Sequence, residues 1–402
     1  MPPGPAEAPP RRCPSCAAPA LGAPFYEQAE VPSHSCLLLD DAREAREFPR
    51  GTLALAACGA CGFIANVAVD PSLQAYSSRY EETQGFSPRF RAFADDLARR
   101  LVERHDLHGR DVLEIGCGKG EFLVELCELG RNRGVGVDPA FVPERLDTEA
   151  ADRLTFIRDY WSERYAHLTC DLVVCRHTLE HIVEPGPFLD LLRTSIGERP
   201  ETVVFFEVPD AMRVLREVAF WDVYYEHCSY FTAGALGRAF RRAGFRVDEV
   251  ELAFEGQYLL LEAHPIAPGE DGGAPLALEE DVAEVQDAVR SYAARSAEIL
   301  AGWRERLRDL RSSGRRAALW GSGSKGVAFL TALGLEEDIT CVVDINPHRQ
   351  GKHMAGTGHP IVAPEDLVAE RPDVVIAMNA AYREEIGASL DALGLHPELL
   401  AL

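Results

Sequence analysis

The segment VLEIGCGKGEFLVEL, residues 112–126, decides the fold. Its first four residues predict a short strand, the glycines after them a tight turn, and the apolar spacing beyond the turn a helix. About twenty residues past the turn, GVGVDPA predicts a second strand that ends at Asp138, an acid suited to both hydroxyls of a ribose. This combination predicts a nucleotide-binding α/β unit. The turn contains three glycines, which let the backbone approach a ligand: Gly116, Gly118 and Gly120.

Strands and helices keep alternating after this unit. RLTFIRDYW predicts a third strand that ends at Asp159, CDLVVCRHTLEHI a fourth, and ETVVFFEVPD a fifth. FRVDEVELAF and QYLLLEAHP predict a closing pair of strands. This order predicts a mostly parallel sheet that is covered by helices on both faces.

The motifs VLEIGCGKGEFLVEL, VGVDP, FIRDYW and LEHI are similar to those of class I S-adenosylmethionine-dependent methyltransferases. The resemblance implies a Rossmann-like core with a seven-stranded sheet whose last strand runs antiparallel. It also implies that the glycine loop and Glu114 lie near the methionine part of the cofactor. Asp138 is then expected to hold the ribose, and Asp159, with Tyr160 beside it, the adenine.

Four cysteines near the N-terminus stand in two C-x-x-C pairs. CPSC supplies Cys13 and Cys16, and CGACG supplies Cys58 and Cys61. This arrangement is typical of a tetrahedral zinc site, and because the protein fills all four positions, we expect the Zn²⁺ to be structural. The alternatives are redox C-x-x-C motifs or unrelated cysteines.

A second glycine motif follows a linker rich in proline and glycine and a long helical segment that begins near residue 278. RRAALWGSGSKGVAFLTALGL predicts strand, G-x-G-x-x-G turn and helix, and TCVVDINP predicts a strand that ends at Asp344. A third strand is expected in DVVIAMN. The pattern matches a dinucleotide fingerprint. An NAD site, a site for another phosphate and a scaffold without a ligand all remain open for this unit.

The stretch WDVYYEHCSYFT, residues 221–232, places Glu226 and His227 among aromatic residues. Histidine suits proton removal near neutral pH, because its ordinary pKa lies there. The alternative is a half-buried histidine in a core strand.

Taken together, these parts resemble the zinc-containing C-methyltransferases that act on nucleotide-linked deoxysugars. The similarity rests on CPSC with CGACG, VLEIGCGKG, YYEHCSYF, GSGSKG and VVDINPHRQGKHMAGTGHPI. It implies methylation of a carbon next to the ketone of a keto-deoxysugar in natural-product sugar biosynthesis. The last domain is expected to enclose the nucleotide-sugar.

The resemblance also assigns roles within the site. His227 is expected to be the base and Glu226 its orienting partner, and the enolate then attacks the sulfonium methyl group. His181, with Tyr76 or Tyr80 from the preceding loop, is expected to stabilise the enolate oxygen. Further substrate contacts are expected from Tyr225, Tyr230, Gly323, Ser324 and Lys325.

Length and composition limit the remaining possibilities. The 402 residues suit three units, which we expect at residues 1–72, 73–266 and 267–402. A net charge of −23 disfavours nucleic acid as a partner, and no apolar run has the length of a membrane span. Eleven cysteines without a signal peptide suit a reduced, cytoplasmic protein that acts on a small molecule. The alternatives are methyl transfer to carbon, oxygen or nitrogen of another small molecule, an NAD-dependent oxidoreductase that uses GSGSKG, and a scaffold without catalysis.

Overall fold

The computed structural model describes residues 11–74, 76–267, 270–335 and 338–402. Its first sheet is antiparallel and holds the N-terminal segment. This segment contains β1 (Tyr26–Pro32), α1 (Ala42–Arg46), β2 (Arg50–Ala57) and β3 (Ile64–Asn66). The outer edge of β3 pairs with a two-residue strand from much later in the chain, Ser229–Tyr230. The N-terminal unit is therefore tied to the region just after His227.

The second sheet has seven strands, as expected. The elements of this region are α2 (Pro88–Arg104), β4 (Asp111–Ile115), α3 (Glu121–Gly130), β5 (Arg133–Val137), β6 (Leu154–Ile157), β7 (Leu172–Arg176), α4 (Pro185–Ile196), β8 (Val203–Pro209), α5 (Ala211–Glu217), β9 (Ser229–Tyr230), α6 (Ala233–Arg242), β10 (Phe245–Ala253) and β11 (Tyr258–Pro265). The order of the seven strands is β10-β11-β8-β7-β4-β5-β6, and β11 runs opposite to the other six. The chain leaves β4 in one direction and returns to β7 on its other side. This reversal opens a crevice at the carboxyl ends of β4 and β7.

The glycine turn after β4 lies in that crevice. Gly116 and Gly118 both have positive φ, and a β-carbon on Gly116 would come within 1.9 Å of the Thr178 hydroxyl oxygen. A β-carbon on Gly118 would come within 2.4 Å of a carboxylate oxygen of Glu82. Glycine is required here both for backbone conformation and for the closeness of the neighbouring loops.

The third sheet is parallel, with the order β14-β13-β12-β15-β16. Its region contains α7 (Val282–Ser312), β12 (Ala317–Trp320), α8 (Ser324–Leu333), β13 (Ile339–Val343), β14 (Ile361–Val362), α9 (Leu367–Glu370), β15 (Val374–Ala377), α10 (Arg383–Ala392) and β16 (Glu398–Ala401). The long helix α7 begins at a capping box in which Asp281 and Glu284 satisfy each other's backbone N–H groups. The second glycine motif connects β12 to α8, as the sequence predicts.

Two apolar clusters join the three sheets. One packs the first sheet and the segment around α5 against the third sheet, and the other packs the first sheet against the seven-stranded sheet. In the first cluster, Tyr26 packs edge-on against Tyr292 of α7, with ring centroids 5.5 Å apart, and Phe220 stacks on Phe329 of α8 at 5.9 Å. The two clusters therefore fix the two glycine loops relative to each other. In the described part of the chain, no helix is long and apolar enough to cross a membrane.

Candidate active site

The two glycine loops open into one cavity of about 960 Å³. Gly116, Gly118 and Asp138 line its middle-domain side, and Gly323 and Lys325 line its C-terminal side. His227 also faces this space. The cavity therefore has room for two ligands that meet near His227.

The carboxylate of Asp138 is held by the backbone around it. Its Oδ2 accepts a hydrogen bond from the N–H of Gly118 at 2.9 Å, and its Oδ1 accepts one from the N–H of Ala140 at 2.6 Å. Burial raises the pKa of Asp138, while these two donors oppose the shift. The group is thus fixed at the end of β5, beside the glycine loop.

Asp159 and Tyr160 lie at the cavity rim. The carboxylate of Asp159 accepts a hydrogen bond from the Tyr165 hydroxyl at 2.6 Å, and this bond, with the backbone N–H of Tyr160, holds its pKa below the usual range. The hydroxyl of Tyr160 accepts a bond from the backbone N–H of Tyr76 at 3.2 Å. The expected adenine end of the site is therefore joined to the loop that carries Tyr76.

Tyr76 contacts His181, one of the expected site residues. Its hydroxyl lies 2.7 Å from Nδ1 of His181, and the two rings meet edge-on. His181 packs edge-on against His227 with ring centroids 4.8 Å apart. All three line the cavity, so the structure brings these expected site residues together.

The imidazole ring of His227 packs against other rings, those of His181, Tyr224 and Tyr230. No hydrogen bond to its imidazole nitrogens is found among the described residues, and its ring centroid lies 4.1 Å from that of Tyr224. Burial, together with His181, His177 and Lys325, lowers the pKa of His227 well below the usual range. The lowered pKa keeps the imidazole neutral, so a ring nitrogen is open to a proton, and it also makes the ring a weaker base than a free histidine.

No hydrogen bond or ion pair joins the Glu226 carboxylate to the imidazole of His227 among the described residues, which corrects the expected role of Glu226 as the partner of that imidazole. The two residues end a turn that is closed by the His227 N–H and the Tyr224 carbonyl, 3.2 Å apart. The carboxylate of Glu226 instead accepts a bond of 2.6 Å from the Tyr80 hydroxyl and one of 2.8 Å from the Ser35 hydroxyl. Burial opposes its charge, but neighbours including His34 and Tyr80 outweigh burial and lower the pKa of Glu226 to about 2.

Tyr80 therefore differs from its expected role as well. The Tyr80 hydroxyl donates its hydrogen bond to the carboxylate of Glu226, whereas the Tyr76 hydroxyl bonds the imidazole of His181. Tyr225 and Tyr230 do not line the cavity. The hydroxyl of Tyr225 accepts a bond from the N–H of Asp70 at 2.7 Å, and its ring occupies the space beside Gly51. The structure thus places Tyr225 and Tyr230 in the core, and Tyr224 forms the cavity wall instead.

The second glycine loop contributes a half-buried lysine. Lys325 Nζ lies 2.9 Å from Oδ1 of Asp222 and donates to Oε1 of Gln257 at 3.1 Å. Burial lowers the pKa of Lys325, and Asp222 opposes the shift. The hydroxyl oxygens of Ser324 and Ser35 lie 2.9 Å apart, within hydrogen-bond distance. The N-terminal segment, the Glu226 region and the C-terminal loop therefore meet behind the cavity.

Three residues at or near the cavity were missed by the sequence analysis, and for two of them, Ser35 and Lys119, the sequence gives no indication of their contacts. Ser35 lies 191 residues before Glu226, and no periodicity links the two positions. Lys119 lies within the glycine motif, yet its buried Nζ donates to the carbonyl of Tyr80 at 2.6 Å and supports the tyrosine loop. Arg176 ends β7 and lines the cavity. For Arg176, its position at the carboxyl end of a central strand was a usable signal.

The four N-terminal cysteines lie together, far from this cavity in sequence. Their Sγ atoms are all within 4.8 Å of one another. Cys13 and Cys61 are 3.8 Å apart, and so are Cys16 and Cys58. The carbonyl of Cys61 accepts a hydrogen bond from Arg238 of α6 at 2.9 Å, which joins the cluster to the middle region.

Comparison with known proteins decides the family. A model described as a methyltransferase domain matches residues 86–250, and one described as a C-methyltransferase C-terminal domain matches residues 274–394. The C-methyltransferase NovU of Streptomyces niveus is 31% identical over 302 residues, which are 71% of this chain and 70% of that protein. The chain belongs to the C-methyltransferase family. This C-methyltransferase is an S-adenosylmethionine-dependent enzyme.

Two solved structures are similar to part of the C-methyltransferase chain. One is N,N-8-amino-8-demethyl-D-riboflavin dimethyltransferase (RosA) from Streptomyces davawensis, with 21% identity and a TM-score of 0.36 over 44% of this chain and 54% of that one. The other is magnesium protoporphyrin IX methyltransferase (ChlM) from Synechocystis PCC 6803, with 18% identity and a TM-score of 0.34 over 44% and 84%. The chain thus spans about half the length of the first structure.

Proposed function

We propose that this C-methyltransferase methylates the carbon next to the ketone of a nucleotide-linked keto-deoxysugar. One observation carries the proposal: a single cavity is lined both by the glycine loop of the methyltransferase core and by the second glycine loop, with His227 on its wall. The first loop suits the methyl donor, and the second suits the phosphates or ribose of an acceptor. Such an arrangement brings the acceptor carbon and the donor methyl group to His227.

The chemistry requires a base. A carbon next to a ketone becomes a nucleophile only after it loses a proton, and His227 is neutral and free to accept it. The resulting enolate carbon attacks the methyl carbon of the sulfonium in line, the carbon–sulfur bond breaks, and the sulfur leaves as a neutral thioether. His181, whose orientation is fixed by Tyr76 at 2.7 Å, then donates a hydrogen bond to the enolate oxygen.

Glu226 is assigned a positioning role, which it performs through its hydrogen bonds to Tyr80 and Ser35. It ties Tyr80 of the loop and Ser35 of the N-terminal segment to the turn that carries His227. We propose that this connection positions His227 and leaves proton transfer to the imidazole itself. Tyr80 belongs to the same connection.

We further propose that the four cysteines hold a structural Zn²⁺. A tetrahedral site with zinc–sulfur bonds of about 2.3 Å has sulfur–sulfur edges of about 3.8 Å. The separations of Cys13 from Cys61 and of Cys16 from Cys58 are both 3.8 Å. The cysteine residues present therefore fit the metal, which would brace the turns that lead into β3.

The other assignments are part of the same proposal. Glu114, the three glycines and Asp138 form the donor side, Asp159 and Tyr160 the adenine end, and Gly323, Ser324 and Lys325 the acceptor side. An NAD-dependent reaction at the second glycine loop is the weaker candidate, since residues 274–394 match a C-methyltransferase C-terminal domain.

Mass spectrometry on a reaction of the pure enzyme tests the proposal. S-adenosylmethionine is supplied with a panel of nucleotide-linked 4-keto-6-deoxysugars, and His227→Ala is run beside the wild type. We expect one sugar to gain one methyl group with the wild type only. If S-adenosylmethionine binds and no sugar gains a methyl group, the acceptor class is another small molecule. If the enzyme binds NAD and does not bind S-adenosylmethionine, an NAD-dependent oxidoreductase replaces the proposed methyltransferase function.

A further inference from the structure

Besides the four cysteines, a second group of metal-ligand type is found among the described residues, on the wall of the cavity. Glu180 and His181 lie in a short 3₁₀ turn, Leu179–His181, and His227 lies two residues before β9. One ligand atom of each, a carboxylate oxygen or a ring nitrogen, lies within 4.8 Å of the other two. All three side chains line the cavity. Two imidazoles and one carboxylate form a ligand set that Zn²⁺ uses in proteins, with its fourth position left to water or a substrate.

The carboxylate of Glu180 is buried, and the protein does not satisfy it fully. The residue is 2% exposed, and its Oε2 has no hydrogen-bond partner in the described chain. Its Oε1 lies 3.7 Å from Nδ1 of His177, which is too long for a hydrogen bond. A buried carboxylate oxygen without a donor or a cation is costly. Oε2 is therefore available to a metal ion.

The two imidazoles each offer a ring nitrogen. The Tyr76 hydroxyl lies 2.7 Å from Nδ1 of His181, so Nε2 of that ring is left for a metal. Neither ring nitrogen of His227 has a hydrogen-bond partner among the residues that the structure describes. The two rings cross at 87° with centroids 4.8 Å apart. Zinc–nitrogen bonds of about 2.0–2.1 Å place the centroids of two imidazoles on one tetrahedral ion about 5 Å apart, so this separation suits a shared ion.

The three ligand atoms need only a small movement to meet one ion. A tetrahedral Zn²⁺ with bonds of about 2.1 Å has ligand–ligand edges of about 3.4 Å. The widest pair in the group, at no more than 4.8 Å, must therefore close by about 1.4 Å at most. Side-chain rotation can supply this movement, because all three side chains border the cavity.

Neighbouring groups already orient two of the ligands. A ligating histidine commonly bonds an outer partner through its other ring nitrogen, and ligating carboxylates are held in a similar way. Tyr76 has this position beside His181, at 2.7 Å, and His177 lies 3.7 Å from the carboxylate of Glu180. In addition, the carbonyl of Glu180 accepts a hydrogen bond from the N–H of Cys228 at 3.0 Å. That bond ties the 3₁₀ turn to the segment that carries the third ligand.

We propose that Glu180, His181 and His227 form a second Zn²⁺ site, and that Zn²⁺ bound there inhibits methyl transfer. The site has three protein ligands and a fourth position that opens to the cavity, whereas the cysteine cluster offers four ligands. Zn²⁺ is therefore expected to bind here more weakly than at the cysteines, and to occupy the site only when it is added. The inhibition rests on the proposed function, because the ion takes the lone pair of His227 that would accept the proton.

Calorimetric titration of Zn²⁺ into the full chain tests the site. The protein is first saturated with zinc and dialysed, so that the cysteine cluster is loaded and the weaker site is not. We expect one further Zn²⁺ to bind to the wild type. Glu180→Gln, which keeps the size of the side chain, should weaken this binding at least about tenfold. Tyr76→Phe keeps all three ligands and removes only the outer partner of His181, and it should weaken the binding by about 10–100-fold.

Glu114→Gln is the matched control. Glu114 is also a buried carboxyl on the wall of this cavity, but it lies outside the group of three. The control is expected to bind the further Zn²⁺ as the wild type does. A wild type that binds no further ion overturns the proposal. So does a further ion whose affinity is unchanged in Glu180→Gln and Tyr76→Phe, or one that Glu114→Gln weakens equally.

Methyl transfer measured against added Zn²⁺ separates the site from the proposed function. We expect the zinc concentration that halves the rate to be at least about tenfold higher for Glu180→Gln, relative to that variant's own rate without added metal. A rate that stays level or rises while the second ion binds overturns the inhibition and, with it, the role of His227 as the base. The calorimetric result does not depend on the acceptor, so it tests the site even if no sugar is methylated.

Discussion

The hydroxyl of Tyr80 donates a hydrogen bond of 2.6 Å to Oε2 of Glu226, which lies 146 residues later in the chain. This bond joins the loop that follows the N-terminal segment to the turn that carries His227. Both residues are buried, and Ser35 completes the connection from a third direction. The shape of the proposed catalytic centre thus depends on contacts between segments that are distant in the chain.

Removal of this hydroxyl should destabilise the protein. Tyr80→Phe leaves a buried carboxylate with one donor fewer, a loss of about 1.5–3 kcal/mol for a bond to a charged group. We expect a lower midpoint in calorimetric melting and slower methyl transfer. Tyr26→Phe is the control, because its hydroxyl bonds the neutral side chain of Gln28 at 3.1 Å. Equal melting of the two variants contradicts the importance given to the Tyr80–Glu226 bond.

His227→Ala should remove catalysis and preserve donor binding. General base catalysis contributes roughly 10²–10⁴-fold, so kcat is expected to fall by that factor. The affinity for S-adenosylmethionine should stay within about twofold, since the donor side is built by other residues. His167→Ala, an exposed position, serves as the control. A His227→Ala enzyme with the wild-type kcat rules out the imidazole as the base.

The His177–Glu207 pair predicts a pH-dependent stability. Burial works against the charged imidazole, but Glu207 and Glu180 outweigh it and raise the pKa of His177 from 6.5 to about 9. The stabilisation is complete below the unfolded pKa and is lost as the pH rises from about 6.5 through 9. We expect the melting midpoint to fall over this window.

His177→Asn should flatten that profile. Asparagine tolerates the left-handed backbone at this position, where φ is 48°, and it carries no titrating charge. Melting curves measured between pH 6 and pH 9.5 provide the check. A variant that loses stability with pH as steeply as the wild type shows that another group controls the effect.

Zinc removal should affect both stability and the active site. Each chain is expected to hold one Zn²⁺ by elemental analysis, and Cys58→Ser should lose it. Because Cys58 leads into β3, and β3 pairs with β9 two residues after His227, activity should fall with the metal. Cys36→Ser, outside the four-cysteine cluster, is expected to keep its zinc. Full zinc content in Cys58→Ser contradicts the proposed ligand set.

Short sequence patterns correctly predicted the main strands, turns and helices of this protein. The glycine turns, the acid of β5 and the alternating elements all lie within short sequence windows, so 112–126 alone indicated the central strand, turn and helix. The seven-stranded sheet with an antiparallel last strand followed from the family resemblance and is confirmed. These features depend on backbone geometry, which neighbouring residues determine.

The contacts around Glu226 escaped prediction because they join distant segments. Its adjacency to His227 suggested a pair, whereas the Glu226 carboxylate bonds Tyr80 and Ser35 and the His227 ring packs against His181 and Tyr224. Tyr225 and Tyr224 show the same limit: only packing decided that Tyr224 faces the cavity and Tyr225 the core. Which of two neighbouring side chains reaches a site depends on the tertiary structure.

The most direct test of the account uses S-adenosylmethionine labelled with ¹³C in its methyl group. Nuclear magnetic resonance of the product locates the transferred methyl group on an atom of the acceptor. We predict a methyl signal coupled to a ring carbon next to the ketone of a nucleotide-linked sugar, and no such product from His227→Ala. A labelled methyl group on oxygen or nitrogen, or one formed equally well without His227, contradicts the account.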